Sequence, residues 1–425
     1  MIVIRDQIGI FGKMNAGKSS LMNLLTQQAT SIVDATPGTT ADAKAALQEI
    51  HGLGPVKLVD TAGIDERTGL GGKKRQQAMT VLKECDLVLL VVNPATVGFE
   101  PEQVILEAAR ELDKQLLVVY NLFDPSHAAH TAAVEHALPL LRFHRKITLA
   151  AVDAGCRQEL LHFVRANFVS KTVRTDLLPF ARRDAFFLLN IPMDDETPPE
   201  RLLRPQAMAE AELTRRWAWP VCYRMDLAKA RADDPDERRR FETIVARLGD
   251  NLQGIITDSQ AMDIMNRWTP ATIPLTTFSI MMINFVSQGR LADFVRGAAV
   301  LDSLQPGDRI LIAEACNHSR IAEDIGTVQI PALIRRRWPG VMIDHNFGRE
   351  FQANGTLNRY RLVIHCGGCM ISPQKLLARI RDLDVIGVPY TNYGIVLAYA
   401  QGREALGKVL APWGIPLPTS PRKTG

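Results

Sequence analysis

Eight residues near the start of the sequence have the spacing of a phosphate-binding loop. Residues 12–19 read G-x-x-x-x-G-K-S, a pattern whose backbone N–H groups surround nucleotide phosphates. An apolar run at 7–11 precedes it and a helix-like run at 20–25 follows, which is the strand–loop–helix context the motif needs. We expect Lys18 to reach the β- and γ-phosphates and Ser19 to bind Mg²⁺. The residues expected to contact the nucleotide here are Gly12, Asn15, Ala16, Gly17, Lys18, Ser19 and Ser20.

A second set of residues suited to phosphate chemistry follows the apolar run 56–59. Residues 60–63 read D-T-A-G. An aspartate at a strand end can hold Mg²⁺ through water, and the Gly63 N–H can meet the γ-phosphate. Thr40, in the loop 36–40, can complete the coordination of Mg²⁺ when a nucleotide orders that loop. The sequence thus predicts Lys18, Thr40, Asp60 and Gly63 as the catalytic group.

Cysteine and histidine residues form a separate set near the C-terminal end. Residues 316–318 read C-N-H after the apolar run 309–315, and residues 365–369 read H-C-G-G-C after the run 360–364. Because sites in open α/β sheets form at strand ends, the thiols of Cys316, Cys366 and Cys369 could converge on a metal. A closed zinc site, an iron–sulfur cluster with a weaker fourth ligand, a redox dithiol and a pair of buried thiols all remain open at this point.

The elements that must position these residues predict an α/β fold. Runs at 86–92 and 116–120 are apolar enough for central strands of a parallel sheet, and helix-like runs lie between the predicted strands. A chain of 425 residues is expected to form two or three domains. We predict a P-loop domain with a mostly parallel sheet over 1–170, a small α/β domain over 171–265, and a further α/β domain over 266–425.

Composition limits the classes of protein that are expected. The chain is 46% hydrophobic and 23% charged, with a net charge of +4. No apolar run approaches the roughly 20 residues of a membrane helix, and the N-terminus enters the first strand directly, so we predict a cytoplasmic protein without a signal peptide. Its six cysteines are then expected to be ligands or buried thiols. The arginine triplets 238–240 and 335–337 are interpreted as solvated helix faces, so nucleic acid is not an expected partner.

The order of motifs in the first 150 residues resembles the small GTPases, most closely their TrmE–Era-like branch. That branch reads the base with N-K-x-D, where residues 121–124 here read N-L-F-D. The resemblance implies that Asp124 accepts from guanine N1 and N2 and that Asn121 ties the loop to the P-loop. Leu122 would cover the face of the base without the usual charge. Ala151 matches the S-A motif, whose N–H faces guanine O6.

The resemblance also bears on hydrolysis. Ile64 stands where Ras-type enzymes carry a water-orienting glutamine, so another group must assist the reaction. Relatives of the TrmE type use a potassium ion held partly by an asparagine that Asn15 matches. The resemblance therefore implies slow, potassium-stimulated hydrolysis of GTP to GDP and phosphate.

The C-x-H and H-C-x-x-C arrangement resembles the FeFe-hydrogenase maturation GTPases, the HydF family, and the resemblance covers nearly the whole chain. It includes the segments ITDSQ at 256–260, PLTTFS at 274–279, IAEAC at 312–316, VIHCGGC at 363–369 and TNYG at 391–394. It implies a GTPase domain, a dimerisation domain and a domain whose 4Fe–4S cluster is held by Cys316, Cys366 and Cys369. His318 and His365 match the family's histidines, as candidates for the open fourth iron site or for hydrogen bonds behind the ligands.

Function and partners follow from the same resemblance. It implies a homodimeric scaffold that receives the precursor of the two-iron subcluster from radical-SAM maturases and hands it to apo FeFe-hydrogenase, with GTP acting as a switch. The principal competing hypothesis is an RNA- or ribosome-associated GTPase of the TrmE or Era type with a structural metal site. Two further hypotheses are a zinc-stabilised GTPase switch without a cluster and a family member with weakened or altered nucleotide use.

Overall fold

The protein forms two compact units, one of residues 3–173 and one that comprises residues 174–425. The computed structural model describes residues 5–27, 44–61, 63, 71–173, 175–193, 200–314, 325–347 and 354–417. Three predicted site residues, Thr40, Cys316 and His318, lie outside these ranges, as does Ile64. The remaining predicted site residues fall within the described part of the chain.

The first unit is built on a six-stranded sheet in the order β2-β3-β1-β4-β5-β6. Strand β2 runs antiparallel to β3, and the other neighbouring strands pair in parallel, which confirms the predicted mostly parallel sheet. Its strands and α-helices are β1 Asp6–Phe11, α1 Lys18–Thr26, β2 Lys44–Ile50, β3 Gly54–Asp60, α2 Gly71–Glu84, β4 Leu87–Val92, α3 Glu100–Glu111, β5 Gln115–Asn121, α4 Thr131–Ala137, β6 Arg145–Leu149 and α5 Arg157–Asn167.

Helices cover both faces of this sheet. The central strand β4 reads L-V-L-L-V-V and is buried at every residue, as expected of a parallel strand enclosed on two sides. Side chains of α1 and α5 share one apolar cluster with the sheet, and side chains of α2, α3 and α4 share the other. The carboxyl ends of the parallel strands consequently meet at one edge, where the phosphate-binding loop begins after β1.

The second unit contains two four-stranded sheets in which all neighbouring strands are parallel. Their orders are β10-β9-β7-β8 and β12-β11-β13-β14. The strands and α-helices are β7 Phe186–Met193, α6 Arg204–Arg215, β8 Trp219–Asp226, α7 Leu227–Arg231, α8 Pro235–Leu248, β9 Leu252–Thr257, α9 Met262–Trp268, β10 Leu275–Thr277, α10 Phe278–Val286, α11 Leu291–Ala298, β11 Arg309–Glu314, α12 Ile330–Arg337, β12 Met342–Phe347, α13 Asn354–Leu357, β13 Leu362–His365, α14 Pro373–Ile386, β14 Tyr390–Asn392, α15 Tyr393–Ala400 and α16 Arg403–Leu410.

The first of these sheets continues past the domain boundary expected near residue 265. That position lies inside α9, and β10, which follows it, pairs with β9 in parallel. Strands β10 and β14 were not predicted, because three-residue strands are too short to produce an alternating or extended apolar pattern. The segment that was expected to begin a new domain therefore completes the sheet before it.

Three further observations concern features expected from composition. Within the described ranges, no helix has both the length and the apolar character needed to cross a membrane. None of the five described cysteines takes part in a disulfide. Each arginine of the triplet 238–240 forms an ion pair with a carboxylate of its own helix, α8.

Candidate functional site

The loop between β1 and α1 has a backbone that requires glycine at both ends. Gly12 has φ of +149° and Gly17 has φ of +97°, in the left-handed region that favours glycine. A Cβ at Gly12 would overlap the carbonyl oxygen of Val91, and one at Gly17 would overlap the side-chain amide of Asn121. The chain thus turns tightly from the strand into the first turn of α1, at whose N-terminus an anion is favoured.

Lys18, Ser19 and Asp60 meet at this loop. The Nζ of Lys18 donates to the carbonyl oxygens of Gly12 and Lys13, at 3.1 and 2.8 Å. The Ser19 hydroxyl donates to Asp60 Oδ2 at 2.7 Å, across 41 residues of sequence. The structure therefore brings together three predicted phosphate- and Mg²⁺-binding side chains from two separate segments of the chain.

Asp60 is suited to hold a cation. Burial raises the pKa of its carboxyl above the ordinary value, while the hydrogen bond from Ser19 and the charge of Lys18 partly oppose that rise. Its Oδ1 is buried and has no hydrogen-bond partner among the described residues. A buried carboxylate oxygen beside a serine hydroxyl is a donor set that Mg²⁺ accepts. Gly63 is described, whereas Thr40, the other predicted ligand, is outside the described residues.

Asn121 connects the predicted base-binding segment to the phosphate-binding loop. The side chain is buried, donates from Nδ2 to the Ala16 carbonyl oxygen, and accepts at Oδ1 from the Ala151 N–H, both at 2.9 Å. The link from Asn121 to the P-loop agrees with the expectation. The Ala151 N–H, which was expected to face guanine O6, donates to Asn121 in this structure.

The other residues of the N-L-F-D segment lie at the surface. Asp124 is exposed, and hydrogen bonds from the hydroxyl and the backbone N–H of Ser126 hold the pKa of its carboxyl below the ordinary value. Leu122 is half-buried. Phe123 is 51% exposed, and its ring lies beside Gly17. An ionised carboxylate with two apolar neighbours can bind the edge and the face of a purine.

One residue that supports the loop was missed by the sequence reasoning. Glu102 of α3 is 1% exposed, and its Oε1 accepts from the Lys13 N–H at 3.3 Å. The ammonium of Lys13 in turn donates to the carbonyl oxygen of Val97 at 2.8 Å. Glu102 carries no local signal beyond being an acid in the first turn of a helix, which usually indicates only a favourable helix-dipole interaction.

The cysteine loop, which we define as residues 365–370, begins where β13 ends. Strands β11 and β13 are neighbours, with Ala313 opposite His365, and the Cys366 N–H donates to the Ala313 carbonyl oxygen at 3.0 Å. The sheet order reverses between these two strands, which is the point at which open α/β sheets bind ligands. The described part of β11 ends at Glu314, two residues before Cys316 in the sequence.

The loop itself is compact. Gly368 has φ of +69°, and its carbonyl oxygen accepts from the Ile371 N–H at 3.2 Å, so the chain turns back between the two cysteines and α14. Cys366 is 5% exposed and Cys369 is partly exposed. Two thiols that flank a glycine turn at the carboxyl edge of a sheet fit an iron–sulfur cluster and equally fit zinc.

His365 is held on both sides of its ring. Its Nε2 lies 2.9 Å from Arg379 Nη1, and its Nδ1 lies 2.8 Å from the Cys366 carbonyl oxygen. Because a guanidinium only donates, Nε2 must accept, which assigns the proton to Nδ1 and a hydrogen bond from Nδ1–H to Cys366. Of the two roles expected for His365, iron ligand or support behind the ligands, this arrangement favours support.

Two partners of the cysteine loop were not predicted to contact it, although Asn392 lies in the segment TNYG at 391–394 that carries the family resemblance. Asn392 donates to the His365 carbonyl oxygen at 3.2 Å and accepts at Oδ1 from the Ser279 hydroxyl at 3.1 Å. Arg204, at the start of α6, donates to the Cys369 carbonyl oxygen. Within the described ranges, no three His, Cys, Asp or Glu side chains converge as metal ligands do; Cys316 and His318 are outside those ranges.

Comparison with protein families divides the chain along its length. Residues 7–122 match the 50S ribosome-binding GTPase model, residues 236–286 match the hydrogen maturase F dimerization domain, and residues 292–412 match the hydrogen maturase F tetramerization domain. The predicted GTPase domain is thereby confirmed. Two matches to self-association domains support the formation of oligomers.

Curated relatives match a part of the chain. The tRNA modification GTPase MnmE of Shouchella clausii is 40% identical over 128 residues, which are 29% of this chain and 27% of the relative. GTPase Der of Nitratiruptor is 35% identical over 118 residues, which are 28% of this chain and 25% of that protein. The chain therefore spans about a quarter of the length of these two relatives.

Among solved structures, Era from Aquifex aeolicus bound to GDP·AlF4⁻ aligns at 18% identity with a TM-score of 0.34, over 56% of this chain and 99% of Era. With a GTPase domain at one end and both maturase domains following it, the chain belongs to the HydF hydrogen maturase family.

Proposed function

We propose that this protein is a GTP-hydrolysing iron–sulfur scaffold of FeFe-hydrogenase maturation. It carries a 4Fe–4S cluster on Cys316, Cys366 and Cys369, and assembles or carries the precursor of the two-iron subcluster for delivery to apo FeFe-hydrogenase. The observation that supports this most strongly is the cysteine loop. Two thiols lie at the topological switch point beside the strand that leads to Cys316, in a chain matched by two maturase models.

The nucleotide is bound at the loop between β1 and α1. The Lys18 ammonium offsets the charge of the β- and γ-phosphates, and Asp124 accepts hydrogen bonds from guanine. Ser19 and Asp60, with Thr40 from the adjoining loop, hold Mg²⁺, which neutralises charge that develops on the phosphates. Asn15, whose φ of +63° turns the loop, contributes to a potassium site that accelerates a slow reaction.

The cluster is bound by the three cysteines, of which Cys366 and Cys369 are described. When bound, the cluster supplies an iron whose fourth ligand can be replaced. Cargo can bind to this iron and later leave it. His318 is the candidate for that fourth position. His365 instead fixes the Cys366 carbonyl oxygen through its Nδ1–H, and Arg379 fixes the ring.

The GTPase unit acts as a switch for partner binding. Nucleotide state alters the affinity of the protein for radical-SAM maturases or for apo FeFe-hydrogenase, because a ligand shifts an equilibrium only by its differential affinity for the two states. We assign these exchanges to a cytoplasmic homodimer. The GTPase function belongs to the predicted domain 1–170, dimerisation to 171–265, extended to β10, and cluster binding to the remainder.

A second candidate is supported by the curated relatives. The 40% identity to a tRNA modification GTPase is compatible with an RNA- or ribosome-associated GTPase that keeps a structural metal. That identity spans 29% of the chain. The maturase matches over 236–286 and 292–412 favour the scaffold.

The proposal is tested by EPR of anaerobically reconstituted, dithionite-reduced protein. Wild type and Cys222→Ser, which removes an exposed thiol on β8, should both give the spin-half signal of a reduced 4Fe–4S cluster. Cys366→Ser should lose that signal and retain GTP hydrolysis. Stoichiometric zinc in place of iron in wild type would contradict the scaffold function and favour the RNA- or ribosome-associated GTPase.

A further inference from the structure

The two sheets of the second unit have the same topology. We number the four strands of each sheet by their order in the chain. In space, both sheets then have the order fourth, third, first and second: β10-β9-β7-β8 in one and β14-β13-β11-β12 in the other. All pairs in both sheets are parallel, and each last strand leads directly into a helix, α10 or α15. Shared order, shared direction and shared connections are what an internal duplication produces.

The strand register makes the equivalence specific. In the first sheet Asn190 lies opposite Thr257, which lies opposite Thr277. In the second sheet Ala313 lies opposite His365, which lies opposite Asn392. Thr257 is therefore equivalent to His365, and Thr277 to Asn392.

The sequence agrees with this register where the fourth strands enter their helices. Residues 273–280 read I-P-L-T-T-F-S-I, and residues 388–395 read V-P-Y-T-N-Y-G-I. The cap residues act alike as well. Thr277 accepts from the Ile280 N–H at 3.1 Å, and Asn392 accepts from the Gly394 N–H at 2.9 Å. Each side chain thus satisfies a backbone donor in the first turn of its helix.

The two copies contact each other reciprocally. Gly367 of the cysteine loop packs against Ser279, and Gly394 packs against Ser259; by the register, Ser259 is equivalent to Gly367 and Ser279 to Gly394. Contacts in which residue i meets j and j meets i are those of a twofold interface. The duplicated modules are therefore packed as a dimer within one chain.

The helices that follow each copy in the chain also pack against the other copy. Phe294 of α11, after the first copy, packs edge-on against Tyr390 of β14 with ring centroids 4.8 Å apart. The Val409 carbonyl oxygen of α16, after the second copy, accepts from Thr276 of β10 at 3.1 Å. Each copy thus covers the last strand of the other.

The copies differ where the cysteine loop lies. The positions equivalent to Cys366 and Cys369 are Asp258 and Ala261 in the first copy. The side chain of Asp258 makes no cap hydrogen bond to the helix that follows it, and it accepts from Gln206 at 2.9 Å. The first copy therefore lacks both thiols. Its helix α6, which carries Gln206, also carries Arg204, and Arg204 donates to the Cys369 carbonyl oxygen.

We infer that the second unit is two copies of one module that share a single cluster site. The second copy supplies the thiols, and the first copy supplies positioning residues. Arg204 holds the Cys369 carbonyl oxygen, and Ser279 orients Asn392, which holds the His365 carbonyl oxygen. In this inference, the identity of the ligand rests on the proposed function. The sharing of the loop by the two copies rests on the described geometry.

The test compares Arg204→Ala with Arg215→Ala. Both arginines are exposed residues of α6, but Arg215 pairs with Glu212 and lies eleven residues further along the helix than Arg204. After anaerobic reconstitution, Arg204→Ala should lose iron to a chelator about tenfold faster than wild type, as loss of a support behind a ligand commonly does. Arg215→Ala should lose iron at the wild-type rate. Ser279→Ala should accelerate the loss by about threefold, because one neutral hydrogen bond is removed.

Two measurements separate the possible failures. Arg204→Lys keeps a hydrogen-bond donor and should restore the slow release of iron. If Arg204→Ala lost iron because the unit had unfolded, lysine at this position would not restore slow release. In cluster-free protein, alkylation of Cys369 measured against Cys222 by peptide mass spectrometry should be faster in Arg204→Ala. A wild type that binds no iron would overturn the proposed function, and this alkylation ratio would still test the shared loop. Equal iron release and equal alkylation in the Arg204 and Arg215 variants would overturn the inference.

Discussion

The phosphate-binding loop after β1 and the cysteine loop after β13 occupy comparable positions. Each follows a buried strand of a parallel sheet, and each contains glycine with positive φ. They differ in what holds them. The first loop is shaped mainly by the positive φ angles of its own glycines, and two remote side chains, Asn121 and Glu102, bind its backbone. The second is held through remote side chains: Arg379 on His365, Asn392 on the same residue, and Arg204 on Cys369.

The difference follows from what each loop must bind. Phosphate is an anion that backbone N–H groups can receive, so the requirement falls on φ and on the absence of side chains. Thiolates are side chains, so the requirement falls on where the Cys backbone is fixed, and groups from several elements can fix it. Local substitutions should therefore damage the first loop most, and distant substitutions should damage the second.

The largest expected effect is at Gly17. Gly17→Ala places a Cβ at φ of +97° and into the buried amide of Asn121, whose two hydrogen bonds prevent it from moving aside. Strain and overlap together should weaken binding of a fluorescent GDP analogue by about 100-fold. The measurement is a titration of purified variant with that analogue.

Gly54→Ala is the matched control for Gly17→Ala. Gly54 has a similar φ of +90°, but a Cβ there would meet no atom within 4 Å. It should cost about 1 kcal/mol of the free energy of unfolding and leave GDP affinity unchanged. Equal affinities in the two variants would mean that overlap with Asn121 does not shape the loop.

An intermediate effect is expected at Arg379. Arg379→Met removes the donor to His365 Nε2 at a site where both side chains are almost fully buried. Leaving that acceptor without Arg379 should lower the free energy of unfolding of the second unit by about 2 kcal/mol. All five tryptophans lie beyond residue 216, so tryptophan fluorescence during urea denaturation reports on this unit alone.

Arg381→Met provides the comparison for Arg379→Met. Arg381 lies on the same helix, α14, at a half-buried position, and its loss should change the free energy of unfolding by about 0.5 kcal/mol. GDP affinity should be unchanged in both variants. A larger loss of stability in the Arg381 variant would show that the His365 contact does not stabilise the cysteine loop.

The contrast between the loops also explains what could be predicted from the sequence. The phosphate-binding loop, four of the six strands of the first sheet and the positions of Asp60 and Asn121 were predictable, because glycine spacing and apolar runs are local. Strands β2 and β6 were not predicted, because neither is a continuous apolar run. The motif Cys366–Cys369 was predictable for the same reason. Its partners Arg204, Arg379 and Asn392 were not, because a hydrogen bond across elements leaves no periodic pattern.

The duplication was hidden for a related reason. Its clearest sequence trace is the segment 273–280 beside 388–395, and the strands within that segment, β10 and β14, have three residues each. Such strands give no pattern of their own, so the register in the sheets is needed to align the copies. The domain boundary expected near residue 265 shows the same limit.

The smallest expected effect concerns Leu122, where the first unit departs from the guanine motif. Its backbone is fixed by the bond from its N–H to the Leu149 carbonyl oxygen at 2.8 Å, so substitution should alter the side chain alone. Leu122→Lys keeps an apolar stem for the base and adds a donor near the phosphate-binding loop. A charged hydrogen bond of modest strength should raise GDP affinity by about 3- to 10-fold. Leu122→Met lengthens the stem without the charge and should leave the affinity unchanged, as measured by competition with the fluorescent analogue. A rise of equal size with Met would assign the effect to contact with the base, and a fall with Lys would mean that Leu122 and Phe123 bind the nucleotide through an apolar surface that a charge disrupts.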